Sequence, residues 1–222
     1  MEVISNNESG LEIQLGLLDS IIDLLMINPI FILGTIPVSI SLAVIFRKNN
    51  KISKIKTIIF SFLMYYYLCL IFTNIVGLPN ISEYMRLSRL ERAFFNPKIN
   101  LNLLNDGISL SFVLNVFLFI PLGFLCPTIS SAYERAKVIF IMGLSLSIFI
   151  EISQLFTLHR VTDINDVITN ITGTMIGYFL FKLFAKLQHV KMLQPLQVNE
   201  KVHSSKLPIN IIVVALVLSL FN

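Results

Sequence analysis

The sequence predicts an all-α protein, a polytopic transmembrane bundle of five to six helices, on three observations. The 222-residue chain is 55% hydrophobic, with a mean hydropathy of +0.79. Only 14% of its residues are charged, where soluble domains run nearer a quarter because a hydrated surface needs ionic groups to cover it. The apolar residues also fall into blocks of about 20, the length a helix needs to cross about 30 Å of hydrocarbon at a rise of about 1.5 Å per residue. Such a chain must turn most of its surface to lipid.

In chain order the blocks occupy 24–46, 57–78, 108–127, 136–158 and 164–184. A sixth, 207–221, is short for a full crossing and reads as thinly spanning or re-entrant. Pro29, Pro37 and Pro121 lie inside apolar runs and predict kinks, which neighbouring helices accommodate in a bundle. With no internal repeat and no low-complexity linker, the chain divides into an acidic N-terminal segment (1–23), the bundle (24–184), a polar linker (185–206) and a short apolar C-terminal segment (207–222).

Charge asymmetry orients the bundle. The segment between the first two blocks, RKNNKISKIK, carries Arg47, Lys48, Lys51, Lys54 and Lys56 and no acid, whereas the N-terminal segment carries Glu2, Glu8, Glu12, Asp19 and Asp23 and no base. With the N-terminus extracytoplasmic and six crossings, those five basic residues join Arg135, Lys137, Lys182, Lys186, Lys191, Lys201 and Lys206 on the cytoplasmic side. Arg86, Arg89, Arg92, Lys98 and Arg160 fall outside, a split of 12 against 5 among the 17 Lys and Arg. The acidic start also argues against a cleavable signal peptide.

The same distribution excludes one function class. A formal charge of +4 and a pI near 9.1 suit nucleic acid, but the basic residues are dealt out between apolar blocks and form no stripe, so they read as juxtamembrane loops and no nucleic-acid partner is expected. Cys69 and Cys126 each lie inside an apolar block and read as small hydrophobes, not as a disulfide. His159 and the acids near it match no familiar ligand spacing, so neither a metal nor a cofactor is expected.

Polar residues inside the apolar blocks gather between Asn115 and Gly177. In the fourth block Gly143, Ser147, Glu151 and Gln154 recur at spacings of four and three, so they share one helix face. In the fifth, Asp163, Asp166, Asn170, Gly173 and Gly177 do the same, ending in a small-xxx-small packing pair. Only HRVT joins the two helices, which makes them antiparallel neighbours whose polar faces meet near the outer membrane surface, with Arg160 at the turn and Asn115 within reach. Each residue has a plainer reading: helix capping for Asp163, dipole complement for Asp166, interhelical hydrogen bonding for Asn115, Gln154 and Asn170. Glu151 stands apart, because it is expected two turns inside its span, where an ionisable group costs about 2.5–3.5 kcal/mol and is a functional candidate unless it is an ion-pair strut for Arg160.

At these residues the chain resembles the VanZ-like family of bacterial envelope proteins. NVFLFIPLGFL (115–125) is similar to its N-x-x-L-F-[IV]-P-[LF]-G-F block, and IEISQLF (150–156) supplies I-E-x-x-Q. HRVTDINDVITNITGTMIGY (159–178) follows R-x-x-D-x-D-D-x-x-x-N-x-x-G-x-x-x-G-Y, except that Asn165 stands where members carry Asp. Upstream, INLNLLND (99–106) replaces the family's N-L-x-P-F turn, and the resemblance covers about residues 95–185. It implies a multi-pass protein of the bacterial plasma membrane, related to one that raises resistance to the glycopeptide teicoplanin, and it implies no reaction.

Three functions compete. In the first, Asn115, Glu151, Gln154, Arg160, Asp163, Asp166 and Asn170 bind a polar lipid headgroup, a lipid-linked cell-wall precursor or another envelope partner, and so alter glycopeptide susceptibility, with Arg160 on phosphate. The second is an intramembrane enzyme using Glu151 as general acid or base. The third is a small transporter, for which the cytoplasmic half offers no polar path.

Overall fold

The computed structural model describes residues 28–48, 54–93, 110–157, 160–186 and 201–221, together with 26, 95, 97–100 and 102; in the last helix side chains are described from Lys206. The acidic N-terminal segment, the centre of the first basic loop, His159 and most of the polar linker lie outside these residues.

Five helices are long and apolar enough to cross a membrane. Helix α1 (Ile30–Lys48) starts later than expected, because Asn28 accepts a hydrogen bond from the Ile30 amide at 3.0 Å and Pro29 sits just ahead of the helix, where its missing N–H costs nothing. Pro29 is therefore a helix start and not a kink, while Pro37 and Pro121 do lie inside helices. Helix α2 (Lys54–Leu70) runs on into a π turn, Ile71–Ile75, and ends at Gly77, whose φ of 62° lies in the left-handed region. Helices α4 (Leu110–Ile129), α5 (Ala136–Gln154) and α6 (Ile164–Lys186) match the third to fifth blocks. The expected end of α5 at 158 moves back to Gln154, since the amides of Leu155, Phe156 and Thr157 each bond three residues back and turn the chain away.

Two elements were not anticipated. Helix α3 (Ile81–Arg89) follows α2, started by Asn80, whose side chain accepts from the Glu83 amide at 2.7 Å. It buries Leu87 and leaves Ile81, Tyr84 and Met85 exposed. Strands β1 (Ile99–Asn100) and β2 (Thr162–Asp163) pair in parallel, two residues each.

Helix α7 (Lys201–Ser219) settles beside α1 and α2. Its beginning packs on the 3-10 turn Ser131–Tyr133 that joins α4 to α5, and its last carbonyls reach the other end of the bundle, where Leu220 accepts from the Ile81 amide at 2.8 Å. Although its apolar stretch, Lys206–Ser219, is short, α7 extends through the depth of the other helices.

The core shows why the chain needs lipid. Outward-facing side chains are large and apolar, with Ile32 68%, Leu110 75% and Phe117 64% exposed, an exterior no aqueous domain maintains. Inward, the tightest packing joins α4 to α6. A Cβ on Gly173 would strike the Val116 carbonyl oxygen, one on Gly177 that of Ile120, and one on Gly123 that of Thr174. The two backbones are in contact, so dispersion over bare main chain replaces the hydrophobic drive that lipid removes. Cys69 and Cys126 are buried and free.

Candidate functional site

One end of the bundle collects the start of α4, the end of α5, the start of α6 and the end of α2. The physical reason is the short link between α5 and α6, which forces them antiparallel, and the glycine contact that locks α4 against α6.

Glu151 lies in the last turn of α5, 4% exposed. It is one turn from the helix end, not the two expected, because α5 stops at Gln154. Its Oε2 accepts from the Asp163 amide at 2.9 Å, while its main-chain carbonyl accepts from the Thr162 hydroxyl at 3.0 Å. The carboxylate thus holds the entry to α6 as a capping group reaching across from a neighbouring helix, and the negative charge suits that helix's positive end.

Asp163 carries the structural role that capping alone accounts for. Its Oδ1 accepts from the backbone and side-chain amides of Asn165 at 2.8 and 2.9 Å, and its Oδ2 accepts from Asn100 at 3.0 Å. Both oxygens are engaged. Asn165 also donates to the Asn102 carbonyl at 2.9 Å. This gives Asn165 a purpose that a carboxylate does not serve, because an ionised aspartate has no donor to offer Asp163 or a carbonyl.

Asp166 accepts from Asn115 at 2.7 Å across α6 and α4. One turn deeper, Asn170, 4% exposed, donates to Ser147 at 3.0 Å across α6 and α5, and Thr174 lies against Gly143. The polar face of α6 therefore sits at a three-helix junction: Asn170 and Thr174 address α5, whereas Asp166, Gly173 and Gly177 address α4. Two fully buried atoms in this region have no hydrogen-bond partner, Oε1 of Gln154 and Oδ1 of Asn170.

Arg160 makes no ion pair with the carboxylates among the described residues, although its charge still acts on Asp166. Its Nη2 donates to the Ile75 carbonyl at 2.6 Å, and its guanidinium lies over Gly77. That carbonyl is free because the π turn ends there. No ion pair joins Arg160 to Glu151 among the described residues, which removes the strut role for Glu151.

The VanZ/LLP1 family model matches residues 64–185, more than half of the chain. The chain belongs to the VanZ/LLP1 family. No curated protein and no solved structure matches it. The family region begins well before residue 95 and so takes in the end of α2, which Arg160 contacts at Ile75 and Gly77. The VanZ/LLP1 motif residues divide by position. Asn115, Glu151, Gln154, Asp163, Asp166 and Asn170 gather at one end, Gly173 and Gly177 make the helix contact, and Tyr178 reaches the opposite end, where its hydroxyl donates to the Glu134 carbonyl at 2.8 Å. Sequence reasoning missed Asn100, Asn102 and Gly123. Gly123 was legible in the P-L-G-F block as a third small residue, but nothing local marks Asn100, whose partner is 63 residues away.

Proposed function

We propose that this VanZ/LLP1 protein is an envelope factor of the bacterial plasma membrane that binds a polar headgroup at the outer leaflet and influences susceptibility to teicoplanin-type glycopeptides. The headgroup belongs to a membrane lipid or a lipid-linked cell-wall precursor. The observation that carries the reading is the pair of orphaned amide oxygens, Gln154 Oε1 and Asn170 Oδ1, beside Glu151 and Asp166. A buried acceptor without a donor costs about 1–3 kcal/mol, and a ligand offsets that cost. The exposed guanidinium of Arg160, already fixed by Ile75, retains N–H groups for phosphate at the rim. The outer-leaflet placement rests on the charge split and has its own test. With Cys69 and Cys126 buried, an impermeant thiol reagent applied from outside should label a cysteine placed at His159 and spare one placed at Asn50; the reverse pattern overturns the orientation.

The function is tested by Glu151→Gln. The variant should fold as the wild type does while the glycopeptide phenotype disappears, and a fully active variant ends this reading. The enzyme reading draws on one feature, the Glu151 carboxylate, held by one oxygen and open at the other. A changed envelope lipid species on comparing cells with and without the protein would favour it.

A further inference from the structure

The polar seam between α5 and α6 is rich in acceptors. Glu151 contributes a carboxylate with one oxygen engaged, Asp166 another with one engaged, and Gln154 and Asn170 each a buried amide oxygen with no partner. The Asn170 amide nitrogen gives one of its two N–H groups to Ser147, and the Asn115 amide gives one to Asp166. Helical spacing places Gln154 one turn beyond Glu151, and Asn170 one turn below Asp166, each about 5–6 Å along the same face. Among the described residues no ion pair engages Glu151, Asp163 or Asp166, and Arg160, whose charge still acts on Asp166, gives its hydrogen bond to Ile75.

We infer that this seam takes a primary ammonium group, with Glu151, Gln154 and Asn170 receiving its N–H donors. The inference rests on the headgroup reading above and specifies which part of the headgroup enters. A primary ammonium offers three donors and no acceptor, the complement of what the seam lacks. A phosphate brings acceptors to acceptors and a negative charge to carboxylates, so it belongs at Arg160 and not here. Among the described residues no three Asp, Glu, His or Cys side chains stand close enough to hold a metal ion, whereas N–H donors reach separated acceptors one at a time. Gln154 is the last residue of α5, so the buried seam lies close to the end of the bundle and not in the middle of the hydrocarbon. The arrangement also accounts for Glu151 being retained in a span, because an ammonium neutralises the carboxylate where desolvation penalises it.

An ammonium of this kind is carried by an aminophospholipid or by a soluble amine. The full-length protein is purified in detergent and its melting followed with phosphatidylethanolamine, phosphatidylcholine, phosphatidylglycerol, free ethanolamine, glucosamine and magnesium. Phosphatidylethanolamine and phosphatidylcholine share the phosphate and differ in N–H donors, so stabilisation by the former alone is the expected result. Free ethanolamine or glucosamine giving the same shift would assign the amine to a soluble source. Glu151→Gln and Gln154→Leu should each weaken the apparent affinity by about tenfold, the loss of one charge-assisted or buried hydrogen bond, while Tyr178→Phe at the far end keeps it. Equal shifts from phosphatidylcholine, larger ones from phosphatidylglycerol, or a shift from magnesium alone overturn the ammonium assignment. If one of those other ligands loses its effect in Glu151→Gln, the headgroup reading survives without the amine. If no ligand distinguishes the wild type from Glu151→Gln, both fall.

Discussion

The two ends of the bundle treat polar groups in opposite ways. At the end where α4 meets α5, Tyr178 donates to the Glu134 carbonyl at 2.8 Å, and Lys182 lies 5.6 Å from the centroid of the Tyr178 ring. Burial raises the Glu134 carboxyl above the usual carboxylate range, and the Lys182 charge opposes that rise. These contacts form a clasp tying α6 to the α4–α5 turn. At the opposite end the same three helices bring together more polar atoms and leave some unanswered: Gln154 Oε1 and Asn170 Oδ1 are buried and alone, and Glu151 and Asp166 each use one oxygen on the protein. Satisfied networks stabilise, and orphaned acceptors cost. The first end is a structural clasp, and the second, with its two unpartnered amide oxygens, is the end at which we propose binding.

The comparison can be broken first at the contact both ends depend on. Gly173→Leu or Gly177→Leu drives a side chain into the α4 backbone, and the bundle should fail to accumulate. Gly173→Ala and Gly177→Ala should each cost about 1–3 kcal/mol, the usual penalty of overpacking, read as a lower melting temperature in detergent. Gly143→Ala should cost less, because its Cβ meets only the Thr174 side chain, at 2.9 Å. Wild-type melting in all three alanine variants would show that the helices do not meet there.

Asn165→Asp sets a second carboxylate against Asp163 and removes the donor to Asn102, so it should destabilise by about 1–3 kcal/mol. Its melting temperature should recover as pH falls, since protonating the new carboxyl returns a donor and removes the repulsion; a flat profile would mean that Asn165 is a spectator. Tyr178→Phe removes one hydrogen bond and should cost about 0.5–1.5 kcal/mol, leaving the glycopeptide phenotype intact. Glu151→Gln keeps an oxygen for the Asp163 amide and sheds the insertion cost of an ion, so its melting should be unchanged or slightly higher while the phenotype is lost. The pair separates the ends: a stable, inactive Glu151→Gln beside a weakened, active Tyr178→Phe. The reverse pairing would exchange their roles.

Most of the architecture was legible because lipid imposes a simple rule on sequence. Every span must be long, apolar and helical, so five blocks could be read directly, and helical spacing put Glu151 with Gln154, and Asp166 with Asn170, on common faces. Helix α3 escaped because nine residues of mixed polarity give no span signal, although Asn80 and Glu83 spell a helix start. The alternative in which Glu151 pairs with Arg160 is not seen, since the π turn of α2 presents the Ile75 carbonyl to Arg160 instead.

What the sequence determined by itself was the helical membrane fold and the grouping of its polar residues, because both follow from local periodicity and from the cost of polar atoms in hydrocarbon. What only the tertiary structure decided was which of those residues are already satisfied. Asp163 is spent on Asn100 and Asn165, while Gln154 and Asn170 are left with bare acceptors. That distinction depends on partners dozens of residues away and on where a helix stops, and a hydrogen bond is decided by fractions of an ångström that no spacing rule contains.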